Sequence, residues 1–163
     1  PRVFAPHAHA FPTGGDALDL ACGQGATAVW LARRGISVRG LDVSPVAIDH
    51  ARDLAALAGV EERCRFEVVD LDDGLPPGPP ADVIVCHKFR DRGLDREILG
   101  RLAPGGLLAI SVLSAVDAEP GPFRAQPGDV TAAFADLTVI AAGEGGGEAW
   151  LLGRKAPVVD RHA

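Results

Sequence analysis

Residues 18–25 read LDLACGQG, a short apolar run that ends in two glycines separated by one residue. Gly23 and Gly25 let the backbone turn tightly and approach a ligand, and the helix N-terminus beyond them offers free N–H groups. Nineteen residues after Gly23, a second apolar run ends in Asp42. At that distance a carboxylate can accept both hydroxyls of a ribose. A plain strand-to-helix turn with a capping Asp explains either feature alone; the pair predicts an adenosine-type cofactor. A second cluster lies at Cys86–Gly93 (CHKFRDRG), where His87, Lys88, Arg90 and Arg92 fall within six residues. It reads as a cation-lined mouth for a small anionic acceptor, with His87 as a base that removes a proton from it. A solvated loop whose arginines pair with Asp91 and Asp95 is the competing reading.

Other candidate groups carry less. Cys86, at the end of an apolar run, reads as a small buried hydrophobe. Cys22, Cys64 and Cys86 form no CxxC pair, which suits a reducing cytoplasmic compartment. His7 and His9 make an HxH pair in a Pro-rich segment with no third ligand nearby, so no metal site is expected. Trp30 is expected in the core.

These residues need a scaffold, and the 163-residue chain supplies one domain with 47% hydrophobic residues. From Ala17 onward, β-type runs alternate with helical stretches, the pattern of a parallel α/β sheet. Strands are expected at 17–22, 36–42, 65–69, 82–86 and 107–113. Helices are expected at 27–34, from Ser44-Pro45 to Gly59, and at 95–102. Gly74–Pro80 (GLPPGPP) can only be loop. A short helix at 129–135 then precedes two strands, 137–142 and 148–153, joined by Gly143–Gly147 as a hairpin. Residues 1–15 and 158–163 read as tails around a domain at 16–157. A chain that opens on Pro1 and contains no Met is expected to be trimmed at its N-terminus.

A net charge of −6 without a Lys/Arg stripe disfavours nucleic acid as a partner. No apolar run approaches the ~18–20 residues that span a bilayer, so no membrane partner is expected. Gly23–Ala28 (GQGATA) also satisfies the dinucleotide fingerprint GxGxx(G/A). A dehydrogenase needs hydride-transfer partners, however. The chain has no Tyr for the short-chain type and no room for a separate substrate domain.

The run Asp19-Leu20-Ala21-Cys22-Gly23-Gln24-Gly25 resembles the first motif of class I S-adenosylmethionine-dependent methyltransferases. The resemblance extends from Ala17 to Lys155 and implies an α/β fold: a doubly wound, Rossmann-like, mostly parallel sheet with an antiparallel C-terminal hairpin strand. It implies that Asp19 helps hold the cationic amino-acid end of the cofactor. It places Asp42 on the ribose and Val43 beside the adenine. Asp70 would accept from the adenine amino group and the Leu71 N–H would meet the ring nitrogen. Ala21, Gly23, Gly25 and Cys86 complete the expected cofactor surface. Ala21 stands where the family usually has its first Gly, which is tolerable if φ stays negative.

Within that superfamily the chain is similar to the tellurite-resistance type of small methyltransferase. Val68–Asp73, Gly121-Pro122-Phe123, Pro127–Val130 and Leu151–Lys155 carry that likeness. It implies that Phe123 and Arg124 sit near the substrate mouth with Lys88, Arg90 and Arg92. That type places a His-Arg pair in its last hairpin loop, where this chain has Gly143-Glu144-Gly145-Gly146-Gly147, so those roles do not transfer. The expected function is methyl transfer from S-adenosylmethionine to a small-molecule acceptor by in-line displacement. The alternatives are a non-catalytic or truncated binder of the cofactor or its demethylated product and, less well supported, an NAD-dependent oxidoreductase.

Overall fold

Five apolar runs separated by helical or turn-forming segments become five parallel strands, and the hairpin adds two more. The computed structural model describes residues 2–119, 121 and 124–159. The strands are β1 (Asp16–Leu20), β2 (Ser37–Asp42), β3 (Cys64–Val68), β4 (Ala81–His87), β5 (Leu102–Leu113), β6 (Thr138–Gly145) and β7 (Glu148–Arg154). The helices are α1 (Ala26–Arg33), α2 (Pro45–Leu57), α3 (Asp95–Arg101) and α4 (Asp129–Ala133). The sheet order is β3-β2-β1-β4-β5-β7-β6. β7 runs antiparallel to both neighbours, as the hairpin required.

Both faces of the central strands are covered, which is why they read as continuous apolar runs rather than alternating ones. From Leu107 to Val112 every residue of β5 is buried. On one face α1 and α2 contribute Leu31, Ala32, Ile48 and Ala51 to the core; on the other, α3 and α4 contribute Ile98 and Val130, and Phe134 follows just after α4. α2 starts as expected: Pro45 takes its first turn and Ser44 Oγ accepts from the Ala47 N–H at 3.2 Å.

Several expectations change, among them the start of β5, which lies at Leu102 rather than Leu107. β1 stops at Leu20 rather than Cys22, because Ala21 turns to φ +54°. The hairpin turn shrinks to Gly146-Gly147, with φ +60° and +80°, since β6 pairs as far as Gly145↔Glu148. Two left-handed residues in a two-residue turn match the right-handed strand twist. Trp30 is 37% exposed rather than core; the Phe11 ring meets it edge-on at 5.1 Å and the Arg34 guanidinium lies 5.0 Å over it.

The N-terminal segment differs most. Read as a tail, Arg2–Ala10 instead forms 3-10 turns that pack on α1 and β7. Phe4 is buried, edge-on to Phe11 and to Trp150 at 6.0 Å. Arg34 donates to the carbonyls of Ala8 and Phe11, and Arg154 donates to that of Ala10 at 3.2 Å. Of residues 158–163, Val158 and Val159 are described; they are exposed and outside any strand or helix.

Phe4→Ala is expected to lower stability by about 3 kcal/mol, the low end for a buried aromatic, because the segment can detach instead of leaving a cavity. Urea unfolding checks this; a change near zero would show that the segment contributes nothing to the fold.

Candidate functional site

The chain leaves β1 toward β2 and β3 on one side, and β4 and β5 fill the other. The carboxyl ends of β1 and β4 therefore bound the crevice where doubly wound sheets take ligands. The turn after β1 alternates hands: Ala21, Gly23 and Gly25 have φ of +54°, +54° and +86°. The Cys22 N–H donates to Leu41 O at 2.9 Å and the Gly25 N–H to Cys22 O at 3.0 Å. The two glycines serve different needs. A Cβ on Gly25 would sit 2.8 Å from Ala51 Cβ, so Gly25 lets α1 and α2 meet. A Cβ on Gly23 would meet nothing within 4 Å, so Gly23 keeps open space over the turn.

Ala21 departs from expectation. Its φ is positive, a conformation that costs a residue with a side chain roughly 1–2 kcal/mol. The family's usual Gly suits this position for that reason.

Asp42 does more than its sequence position announced. Its Oδ2 accepts from the Gly23 N–H and its Oδ1 from the Ser44 N–H, both at 2.9 Å. The carboxylate thus clamps the glycine turn to the start of α2, and each oxygen keeps a lone pair for a further donor. Around it Val43, Val46 and Val68 are at least half exposed, an apolar strip at the ends of β2 and β3. Asp70 caps its own turn through the Asp72 N–H at 2.9 Å, and Leu71 is buried beneath it.

Asp19 is the electrostatic centre. It is 2% exposed, and its Oδ2 has no hydrogen-bond partner. Burial, with a smaller push from the Asp42 charge, raises its pKa from 3.8 to about 7, against the Ala28 backbone amide, which lowers it. A buried carboxylate oxygen without a donor fits the cationic end of an amino-acid ligand.

Across the switch point, Cys86 is buried and burial pushes its thiol far up, so it packs rather than reacts. Burial likewise raises the Cys22 thiol to about 12. His87 is half-buried at the end of β4, with Nδ1 2.8 Å from Ser111 Oγ on the adjacent strand. Burial, chiefly, and nearby positive charge lower its pKa, so the ring is neutral at neutral pH. Ser111 is fully buried and was hidden in the sequence by the apolar run around it.

The basic loop is partly neutralised. Arg90 pairs with Asp95 at 2.9 Å, as the competing reading held; Arg92 pairs with Asp129 rather than Asp91, which caps Gly93 instead. Lys88, exposed at φ +55°, has no acidic partner among the described residues. These residues line a cleft of about 650 Å³ with Phe89, Val112, Leu113 and Arg124. His87, next to Lys88 in the chain, is not among the residues that line it. Arg124 Nη1 donates to Ser114 O at 2.8 Å and Gly147 O at 3.3 Å. The hairpin tip reinforces this loop, since Gly147 also exchanges backbone bonds with Ser114 and Val116. Phe123 lies outside the described residues.

The sequence family described as "Methyltransferase domain" matches residues 17–106. Methyltransferase GfsG of Streptomyces halstedii is 35% identical over 105 residues, 60% of this chain and 37% of that protein. A ribosomal protein L11 methyltransferase of Vibrio cholerae is 36% identical over 110 residues, 66% of this chain and 36% of that protein. The matched segments thus span little more than a third of these curated relatives. The crystal structure of TehB from Haemophilus influenzae superposes with a TM-score of 0.76 at 18% identity, covering 87% of this chain and 58% of that one.

Two substitutions test this reading of the turn. Ala21→Gly should raise stability by about 0.5–1 kcal/mol, as relief of the left-handed strain exceeds the added chain entropy. A loss of stability would show the Ala21 conformation to be unstrained. Between pH 4 and pH 7 native Asp19 holds a proton that the unfolded chain has released, so stability falls as pH rises through that window. The full effect is on the order of 4 kcal/mol. Asp19→Asn should flatten that fall in melts across the range; an unchanged slope would refute the assignment.

Proposed function

The chain belongs to the methyltransferase domain family, whose members use S-adenosylmethionine as methyl donor, and from that premise we propose that it methylates a small-molecule acceptor by in-line displacement. The observation that carries this reading is the unpartnered, buried oxygen of Asp19 near the end of β1, four residues before the open space over Gly23. On this reading Asp19 holds the ammonium of the cofactor, Ala21, Gly23 and Gly25 shape the turn beneath it, and Asp42 takes the ribose hydroxyls. Val43, Asp70 and Leu71 receive the adenine, and Cys86 forms the floor. The cofactor supplies a methyl group already electrophilic on its sulfonium.

The protein's part is then alignment, which can supply roughly 7–11 kcal/mol without acid–base help. The cleft at the end of β4 and β5 holds the acceptor. Its lining, Phe89, Val112 and Leu113 with Lys88, Arg90, Arg92 and Arg124 against Asp72 and Asp91, suits a molecule with an apolar body and an anionic end that meets Lys88, which has no acidic partner among the described residues. A soft anion needs no base. For an oxygen or nitrogen acceptor, neutral His87 takes the proton, its ring fixed by Ser111. Three free thiols fit a cytoplasmic setting. The likeness to ribosomal protein L11 methyltransferases makes a protein acceptor the second reading. The family match ends at Gly106, before most of the acceptor side.

Calorimetry should show S-adenosylmethionine or its demethylated product binding, and Asp42→Ala should abolish it while circular dichroism stays native. Ammonium pairing favours the ionised form of Asp19, so affinity should rise with pH to about 7 and then level off. Turnover on a panel of small oxygen, nitrogen and sulfur acceptors completes the test. NAD binding in place of S-adenosylmethionine would overturn the proposal. Cofactor binding without turnover on any small molecule, or turnover only on a protein, would overturn its acceptor half.

A further inference from the structure

At the opposite end of the sheet, the β3–β4 crossover is the one parallel connection without an α-helix among the described residues. It carries a single 3-10 turn (Leu71–Asp73) and then Gly74–Pro80. Parallel crossovers usually lay a helix on the sheet. Here its absence leaves a groove of about 520 Å³ over the first residues of β1, β2 and β3. The prolines form one wall. Leu18, Arg39 and Arg65 are register partners across three strands and so share the groove's floor.

The charge there runs against the chain as a whole. Arg39, Arg63, Arg65 and Arg101 line the groove, with Asp16 and Glu62 as its acids, in a chain of net charge −6. Arg39 is neutralised by Glu67, and its Nη1 donates to Pro77 O at 3.0 Å. Arg101 donates to Pro76 O at 2.6 Å. Arg63, Arg65 and Arg101 have no acidic partner among the described residues. Gly78 keeps the wall thin where Arg39 and Arg101 converge: a Cβ there would lie 3.1 Å and 3.3 Å from their Nη1 atoms.

We infer that this groove is a second binding site, for a small molecule that carries a diphosphate. Guanidinium forks grip phosphate oxygens in pairs, and forks from separate elements match a ligand with more than one anionic group. The volume lies within the ordinary range for small-molecule sites, and the prolines offer apolar surface to the rest of the ligand. A loop carbonyl holds Arg101 in place beforehand, which lowers the ordering that binding requires of it, while Arg63 and Arg65 are free to close on the ligand. The site shares no residue with the cofactor crevice and stands whether or not the methyl-transfer reading holds.

Amide NMR of the intact chain titrated with inorganic diphosphate tests this. Shifts should cluster at residues 37–40, 63–65 and 78, with a Kd below about 1 mM that weakens as salt rises. Arg63→Gln combined with Arg65→Gln, two exposed positions, should weaken binding about tenfold or more and leave S-adenosylmethionine affinity unchanged. Gly78→Val should weaken it by filling the groove without altering charge. No shifts at ~10 mM diphosphate, shifts confined to residues 21–25, or indifference to the double substitution would each overturn the site. Binding of single-stranded RNA but not of diphosphate would overturn it as well.

Discussion

The Asp42 carboxylate holds two backbone amides that the chain would otherwise leave apart, Gly23 after the first strand and Ser44 at the head of the second helix. Much of the crevice depends on this clamp. It ties down a turn that alternates in handedness, and beside that turn α1 and α2 meet at Gly25 and Ala51. It also places a negative charge near buried Asp19 and so helps keep that group's proton affinity high. One residue type at one position therefore couples shape to charge.

Much of this was legible in the sequence because the signals are local and rigid. Glycines with one residue between them, an acid nineteen residues on, and Ser-Pro at a helix start have few structural solutions. The strand runs were equally plain, because doubly covered parallel strands have no polar face to disguise them. Other features were hidden for physical reasons. Residue type at Ala21 does not reveal the sign of φ. Ser111 sits inside a run that reads as core, and its meaning appears only when β4 brings His87 beside it. Arg92 finds its acid at Asp129, 37 residues away, rather than at its neighbour Asp91.

The N-terminal segment shows the same limit from the other side. Its prolines and histidines have the composition of a loose end. Its order comes from Trp150 and from carbonyl contacts made by Arg34 and Arg154, the latter across 144 residues. Distant partners decide such cases, and composition cannot name them. The β3–β4 crossover is the reverse: GLPPGPP declared itself a loop, but that the loop would leave strand surface uncovered follows only from the sheet order.

The hairpin tip has a meaning for how such a protein can change over generations. Residues 114–118 and Arg124 attach to Gly147 and Gly146 largely through main-chain atoms of the tip. Bonds to the tip's backbone do not depend on most side chains of residues 114–118, whereas the tip itself is held to glycine by φ of +60° and +80° and by Ala118 Cβ, 3.1 Å from where a Cβ on Gly147 would stand. Substitutions in residues 114–118 can therefore change the surface of that loop while the glycine turn after β1 and the Asp42 clamp stay untouched. The loop hangs from β5 and the hairpin tip, the turn from β1 and β2, so change in one need not disturb the other.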